Sequence, residues 1–341
     1  MTQAQQLADL SQAYTAAALG FRNKLINGDG RIVQRPGAQF ANGVSGFGAA
    51  DRWKCNNASG SGIIYTSQTT MLDQNGVSKT CVFQRCDGVV AAPTGTNSIS
   101  GFYQIVEGFD CAHMIGSPAA LSFVFRANVA GTYSVALRDG TGANSCVKAF
   151  NYPTPSVSQY LTFLFPPIPA AAVIPPNNGQ GLILNIGAVA GPSITAPAND
   201  VWAAANYIGA AGHTNWATVV NNQIAITDAQ LEIGTIVTPF ERRPTAIELA
   251  LCQRFALAIN GLSLGITYNG SYTQGGCMLF PSTMRVAPVL MPGATYTASP
   301  TAGTPALLNQ SAVGTGFYNP SNNWSVGVGV VLNNAILNAE Y

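Results

Sequence analysis

The sequence predicts an all-β protein: a jelly-roll β-sandwich followed by a second, smaller β domain, with an N-terminal helix and a short linking helix. Three observations carry this expectation. The 341 residues include 36 Gly and 20 Pro, which break helix interiors, and long Ser/Thr/Asn tracts whose side chains compete for backbone hydrogen bonds. Short β-branched and aromatic runs of alternating or continuous apolar character recur between Gly, Pro and Asn clusters. Only two stretches show the three- and four-residue spacing of a helix.

In chain order, the first helical stretch is Thr2–Leu19, where Leu7, Leu10, Tyr14 and Ala17 form a narrow stripe. A helix of about 18 residues is marginal alone, so residues 1–20 are expected to associate with copies of themselves or with another protein, the alternative being a frayed tail. Residues 21–244 hold the sandwich, with strands at Leu121–Phe125, Tyr133–Leu137, Tyr160–Phe165, Leu182–Ile186 and Ile224–Ile226 and a Pro-rich excursion at Phe165–Pro176. Residues 245–260 read as the linking helix. Thr245 stands as its N-cap after Pro244, Glu248 closes a capping box, and Ile247, Leu251, Phe255 and Ile259 form one stripe. Residues 261–341 form the second β domain, with strands near Leu264–Tyr272, Cys277–Phe280, Val289–Tyr296 and Trp324–Leu332 and a terminal strand at Ala335–Tyr341. The Val326/Val328/Val330 alternation with glycine fits an intersubunit seam or a core.

Composition narrows the function. With 15 Lys+Arg and 14 Asp+Glu, charged residues make up 9% of the chain, against about 25% in an ordinary domain. A net charge of +1 and a pI near 7.5 give no footprint for nucleic acid. Mean hydropathy is +0.20, yet no run approaches the ~18 apolar residues of a membrane span. A surface so low in charge favours association, and an obligate oligomer accounts for it best. The first cation is Arg22, so a secretory signal is not expected. Seven cysteines read as small buried hydrophobes kept reduced, the alternative being a Cys81–Cys86 bridge.

Catalytic signals are sparse. There are two histidines, no zinc-binding His pair, no nucleophile elbow and no phosphate loop. Among the acids, Glu107, Asp110, Asp228, Glu232 and Glu241 show no spacing that marks a hydrolytic pair. No enzyme activity and no cofactor are expected. Binding has more support: Trp202, Tyr207, His213 and Trp216 lie together in a Gly/Ala/Asn-rich stretch. Aromatic faces with neighbouring polar groups suit a sugar; the alternative is that Trp202 and Trp216 cap the core. Asp29 and Asp228 are candidates for a structural cation at the sandwich edge.

Several segments then form a pattern. Asn23–Arg35 with Ala50–Trp53, Ile105–Gly108, and Leu121–Arg126 running on to Tyr133 go with the long run Ile226–Gly234, Thr238–Pro244 and Glu248–Phe255, and with Leu279–Pro281, Met284, Arg285 and Pro288. Together these resemble bacteriophage tail-fibre-like proteins that carry a carbohydrate-binding-module-like jelly roll. The resemblance implies a virion-attached homotrimer, assembled in the host cytoplasm, whose β domains often bind host surface glycan. The resemblance starts at Asn23 and leaves the first helix as a feature of this chain; in the fibre reading residues 1–20 dock to another virion protein. Its motif residues look architectural, with Leu231 facing the core and Glu232 pairing with Arg242 or Arg243. Three readings stay open: a receptor-binding fibre, a structural or decorating spike on the head or tail collar, and a polysaccharide depolymerase.

Overall fold

The computed structural model describes residues 21–340, apart from 42, 49, 58–61, 89–98, 260–261, 265, 269–272, 293–294, 298–305, 309, 320–329 and 334. The helix expected within residues 1–20 and the expected strand's Trp324–Gly329 portion lie outside the described residues. The chain divides between Arg242 and Arg243 into two compact units.

The first unit is a β-sandwich of antiparallel sheets. One is six-stranded, in the order β1 (Ala38–Phe40), β4 (Ile63–Leu72), β5 (Ser78–Gly88), β15 (Gln223–Ile233), β7 (Ala119–Ala127) and β10 (Gln159–Phe165). The other is seven-stranded: β13 (Trp202–Ala203), β9 (Ser145–Tyr152), β8 (Gly131–Asp139), β11 (Gln180–Ala190), β6 (Ile99–Glu107), β3 (Lys54–Asn57) and β2 (Gly46–Phe47). The chain passes repeatedly from one sheet to the other, as in a jelly roll. A two-stranded parallel sheet, β12 (Thr195–Ala196) with β14 (Gly209–Ala210), completes the unit.

Alternation puts Phe123, Phe125, Tyr133, Phe150 and Phe163 between the sheets. Phe125 and Tyr133 lie 4.9 Å apart by ring centroid, and Phe123 stacks on Phe163 at 5.6 Å. In β15, Ile224 and Ile226 face this core, and so does Leu231. A change from even to odd positions requires a break in the pleat, and a β-bulge supplies it between Thr227 and Gln230, with Asp228 at φ 51°.

The segment before β1 is laced to that bulge. Ala229 N–H donates to Gly28 O at 2.9 Å, and a Cβ on Gly28 would meet Ala229 O at 2.1 Å, so only glycine fits. The buried Asn27 side chain donates to Ile32 O and Asp51 O and accepts from Ile32 N–H, each at 2.9 Å, while Trp53 Nε1 donates to Asn27 O at 2.8 Å. At the far end of β15, buried Gln230 donates to Glu232 and Thr238 and accepts from Glu241 N–H at 2.7 Å. Asn27, Gly28, Trp53 and Gln230, which belong to that sequence pattern, thus hold the fold.

The Pro-rich excursion returns to the core through Ile168, Ala172 and Ile174. It is held by Asp139, which accepts from Thr141 N–H, Ala143 N–H, Asn144 Nδ2 and, across the excursion, Val173 N–H at 3.1 Å.

The second unit opens with α2 (Thr245–Gln253), numbered after the short α1 (Gly108–Cys111). Among the described residues three sheets follow: β16 (Ala256–Ile259), β25 (Ala335–Asn338) and β20 (Val289–Leu290); β17 (Leu262–Leu264), β24 (Val330–Asn333) and β21 (Thr295–Thr297); and β18 (Ile266–Tyr268), β19 (Thr273–Leu279), β23 (Gly314–Asn319) and β22 (Ala306–Leu308). The terminal strand is the centre of its sheet, paired on both sides.

Four expectations are corrected. The helix ends at Gln253 rather than 260, because Ala256–Ile259 pairs with Ala335–Asn338 and its backbone groups are satisfied there. Glu248 does not close a capping box; it is buried against Arg243 Nη1 at 3.5 Å, and Pro244 takes the N-cap position. Glu232 does not pair with Arg242 or Arg243. It accepts from Thr238 N–H at 2.8 Å and lies 3.8 Å from Arg22, while Arg242 reaches Asp228 at 3.3 Å. Cys277, expected to be a buried hydrophobe like the other six cysteines, is exposed; the alternative Cys81–Cys86 bridge is not formed, since five residues apart on one strand these two point to opposite faces of the sheet.

Two predictions follow from these anchors. Asn27→Ala leaves three backbone groups without partners and puts alanine at φ 58°, so it should cost about 3 kcal/mol or more. Urea unfolding measures this, and a loss below about 1 kcal/mol would remove the Asn27 corner from its anchoring role. For Asp139, burial pushes the carboxyl up, but hydrogen bonds from Asn144, Val173 and Thr141 outweigh it and hold it below the usual carboxylate range. A lowered folded value means that its stabilisation is full above the unfolded ~3.9 and is lost as pH falls through the folded value. The stability gap between wild type and Asp139→Asn should therefore be largest at neutral pH and shrink below pH ~4; a gap constant from pH 7 to 3 would contradict it.

Candidate functional site

Side chains of the six-stranded sheet that point away from the core form cross-strand rows. One runs Ser67 on β4, Phe83 on β5, Ala225 on β15 and Arg126 on β7, each register-paired with the next. Ala225 puts a single methyl between a phenyl ring and an arginine, and the surface drops there into a cleft of about 250 Å³. Met71 and Cys81 continue the floor, with Thr69 paired to Cys81 in the adjacent row.

The β9–β10 loop, residues 153–158, walls one side. Ser156 N–H donates to Ala127 O at 2.6 Å, and Ser158 Oγ donates to Leu72 O, which draws the loop toward the β4–β5 hairpin. Ser156 and the exposed Thr69 bring hydroxyls to the rim, and half-buried Gln223 brings its carboxamide.

Among the described residues no carboxylate lines the cleft. Burial pushes the Cys81 thiol up to about 12, with the Thr69 backbone and the nearby Arg126 charge acting weakly the other way, so it stays protonated and is no nucleophile. Apolar floor, aromatic edge, hydroxyls, amide and guanidinium suit a polyhydroxylated ligand with an apolar ring face. At about 250 Å³, below the ~300–1,000 Å³ of drug-sized sites, the cleft suits one unit of a longer chain. Tyr160, 42% exposed on β10, presents another ring beside it, opposite Val124.

The four aromatic-loop residues do not form one platform. Trp216 is 0% exposed in the sandwich core, its Nε1 donating to Gly187 O at 3.0 Å. Trp202, half-buried at the sheet edge, donates to Pro166 O at 3.0 Å. Tyr207 packs on Ala136, Val147, Ala196 and Ala210. His213 Nε2 accepts from Ala190 N–H at 2.9 Å, which leaves Nδ1 to donate to Ala210 O at 2.8 Å. Tyr207 and His213 share the patch around β14; all four attach their loop to the sandwich.

Asp29 and Asp228 are brought together, but around cations already in the chain. Arg242 lies 3.8 Å from Asp29 and 3.3 Å from Asp228, Arg31 lies 3.5 Å from Asp29, and Lys79 bridges Asp228 to Asp73. Guanidinium and ammonium groups fill the place a structural cation would take. Among the described residues no cluster of three or more His, Cys, Asp or Glu could hold a metal, and no helix is long and apolar enough to cross a membrane.

No protein-family model matches the chain, and no curated protein matches it. Among solved structures, the chain is similar to a family 4 carbohydrate-binding module at 12% identity, over 45% of this chain and 71% of that one, with a TM-score of 0.25. It is similar to a putative sugar binding protein from Bacteroides thetaiotaomicron at 11% identity, over 62% and 100%, with a TM-score of 0.31. A family 11 carbohydrate-binding module from Clostridium thermocellum, in complex with a β-1,3-1,4-mixed-linked tetrasaccharide, is similar at 10% identity, over 60% and 99%, with a TM-score of 0.29. These neighbours are carbohydrate-binding β-sandwiches at low identity, and superpositions this loose leave the ligand to be argued from the cleft.

Proposed function

We propose that this chain is a carbohydrate-binding β-sandwich protein, a homotrimeric fibre or spike of a bacteriophage virion, that takes one sugar unit of a host surface polysaccharide in the Phe83/Arg126 cleft. The cleft carries the reading: an apolar floor of Met71, Cys81 and Ala225 lies under hydroxyl, amide and guanidinium donors, with no acid or base placed for catalysis. A binding role therefore fits better than hydrolysis. The virion assignment is supported by the sequence resemblance, of which Asn27, Gly28, Trp53 and Gln230 hold the fold of the first unit. Self-association is supported by the scarcity of charge and by exposed apolar side chains in the second unit, Leu279 at 82% and Val313 at 55%, on either side of the Leu279–Gly314 pairing.

A second reading, a decorating spike without strong ligand affinity, is favoured by the tying down of Trp216 and His213. The two part on one measurement. Full-length protein titrated with host surface polysaccharides should bind, with Phe83→Ala weakening affinity about tenfold, the ~1.4 kcal/mol of one aromatic contact. Trp216→Phe should lower stability and leave affinity unchanged. Absence of binding to every host polysaccharide would leave the decorating spike, and release of oligosaccharides would replace both with a depolymerase. Light scattering should give three times 35.4 kDa; a monomer at micromolar concentration removes the trimer.

A further inference from the structure

We infer that the cleft selects an acidic saccharide, one whose carboxylate or other anionic substituent is held by Arg126; this rests on the carbohydrate reading above. The inference starts from the fate of the arginines. Arg22, Arg52, Arg254 and Arg285 donate to backbone carbonyls. Arg31, Arg35, Arg85, Arg242 and Arg243 face carboxylates, and Arg138 donates to Asn185 and Asn206. The Arg126 side chain alone makes no hydrogen bond or ion pair with any described residue. It is half-buried in a cleft wall, and its guanidinium nitrogens still reach solvent, where a ligand can meet them.

Its surroundings fix what would compensate it. Among the described residues the lining contains no carboxylate, and the nearby Cys81 is held protonated by burial, so the described lining supplies no counter-charge. A guanidinium presents parallel N–H donors that match a carboxylate or sulfate in two bonds, stronger than any single bond to a neutral hydroxyl. Across the row, one methyl at Ala225 separates Arg126 from Phe83. A ring whose C–H face rests on Phe83 and Ala225 would carry its anionic substituent toward Arg126 and its hydroxyls toward Thr69 and Gln223. This assigns Arg126 the charge selection and Phe83 the ring contact.

The test uses the full-length protein on an immobilised panel of bacterial surface polysaccharides graded by uronate content, neutral polymers included. The highest-affinity binders should be acidic, and carbodiimide reduction of their carboxylates to alcohols should weaken binding at least about tenfold, the value of one charge-assisted hydrogen bond. Arg126→Gln should reduce the acid-to-reduced affinity ratio to near one, with Arg126→Lys intermediate, since lysine keeps the charge and loses the fork. An unchanged thermal midpoint in Arg126→Gln separates this from misfolding. Raising NaCl from 20 to 200 mM should weaken the wild type and not Arg126→Gln. Tight binding of neutral polymers that Phe83→Ala abolishes and Arg126→Gln leaves intact would overturn the acidic preference and leave the carbohydrate reading standing. Absence of binding to any polymer, acidic or neutral, would overturn both.

Discussion

The contact between Gly28 and the bulge of β15 is the constraint on which the sandwich depends. β15 lies between β5 and β7, and its residues must face the core at even positions before the bulge and at odd ones after it. That change of parity is stable only if the irregular backbone at Asp228 and Ala229 finds partners. The segment from Asn23 supplies them: Gly28 O accepts from Ala229 N–H, Asn23 Nδ2 donates to Ala229 O at 3.0 Å, and Lys24 N–H donates to Leu231 O at 2.8 Å. Asn27 then holds the supplying segment against Trp53. With β15 in this register, Ala225 falls between Phe83 and Arg126. A one-residue slip would turn Ile224 outward and close the cleft.

Much of the sandwich was legible because its strands alternate. Leu121–Phe125, Tyr133–Leu137, Tyr160–Phe165, Leu182–Ile186 and Ile224–Ile226 all lie within strands. The end of the linking helix was not, because Phe255 and Ile259, which fit a four-residue stripe, also fit period two with Leu257. The choice is made by a strand some 80 residues on, at Ala335–Asn338, and no local window contains it. The capping box failed for a similar reason: Glu248 has a closer call on Arg243 than on the helix N-terminus.

The aromatic loop misled for a different physical reason. A loop lying on a sheet needs apolar side chains to hold it, and in a polar, Gly-rich loop the aromatics serve that purpose, so the composition that suggests a sugar platform also suits an anchored cover. The cleft leaves the opposite kind of trace. Thr69, Cys81, Phe83, Arg126 and Ala225 come from four strands spread over some 150 residues, and each is unremarkable on the outer face of its own strand. Their meaning is in the pairing, above all the small residue that β15 places between two large ones.

Charge scarcity gives that cleft its character. In a chain with 9% charged residues, the ionic groups are concentrated where they hold structure, as in the set that joins Asp73, Lys79, Asp228, Arg242, Asp29 and Arg31. Arg126 stands outside these sets: its half-buried side chain lies in a cleft whose described lining holds no carboxylate, so a neutral side chain of similar volume would cost the fold little. A charge that the fold does not use is available to a ligand. Arg126 is such a charge, set in the wall of a cleft that the register of β15 opens.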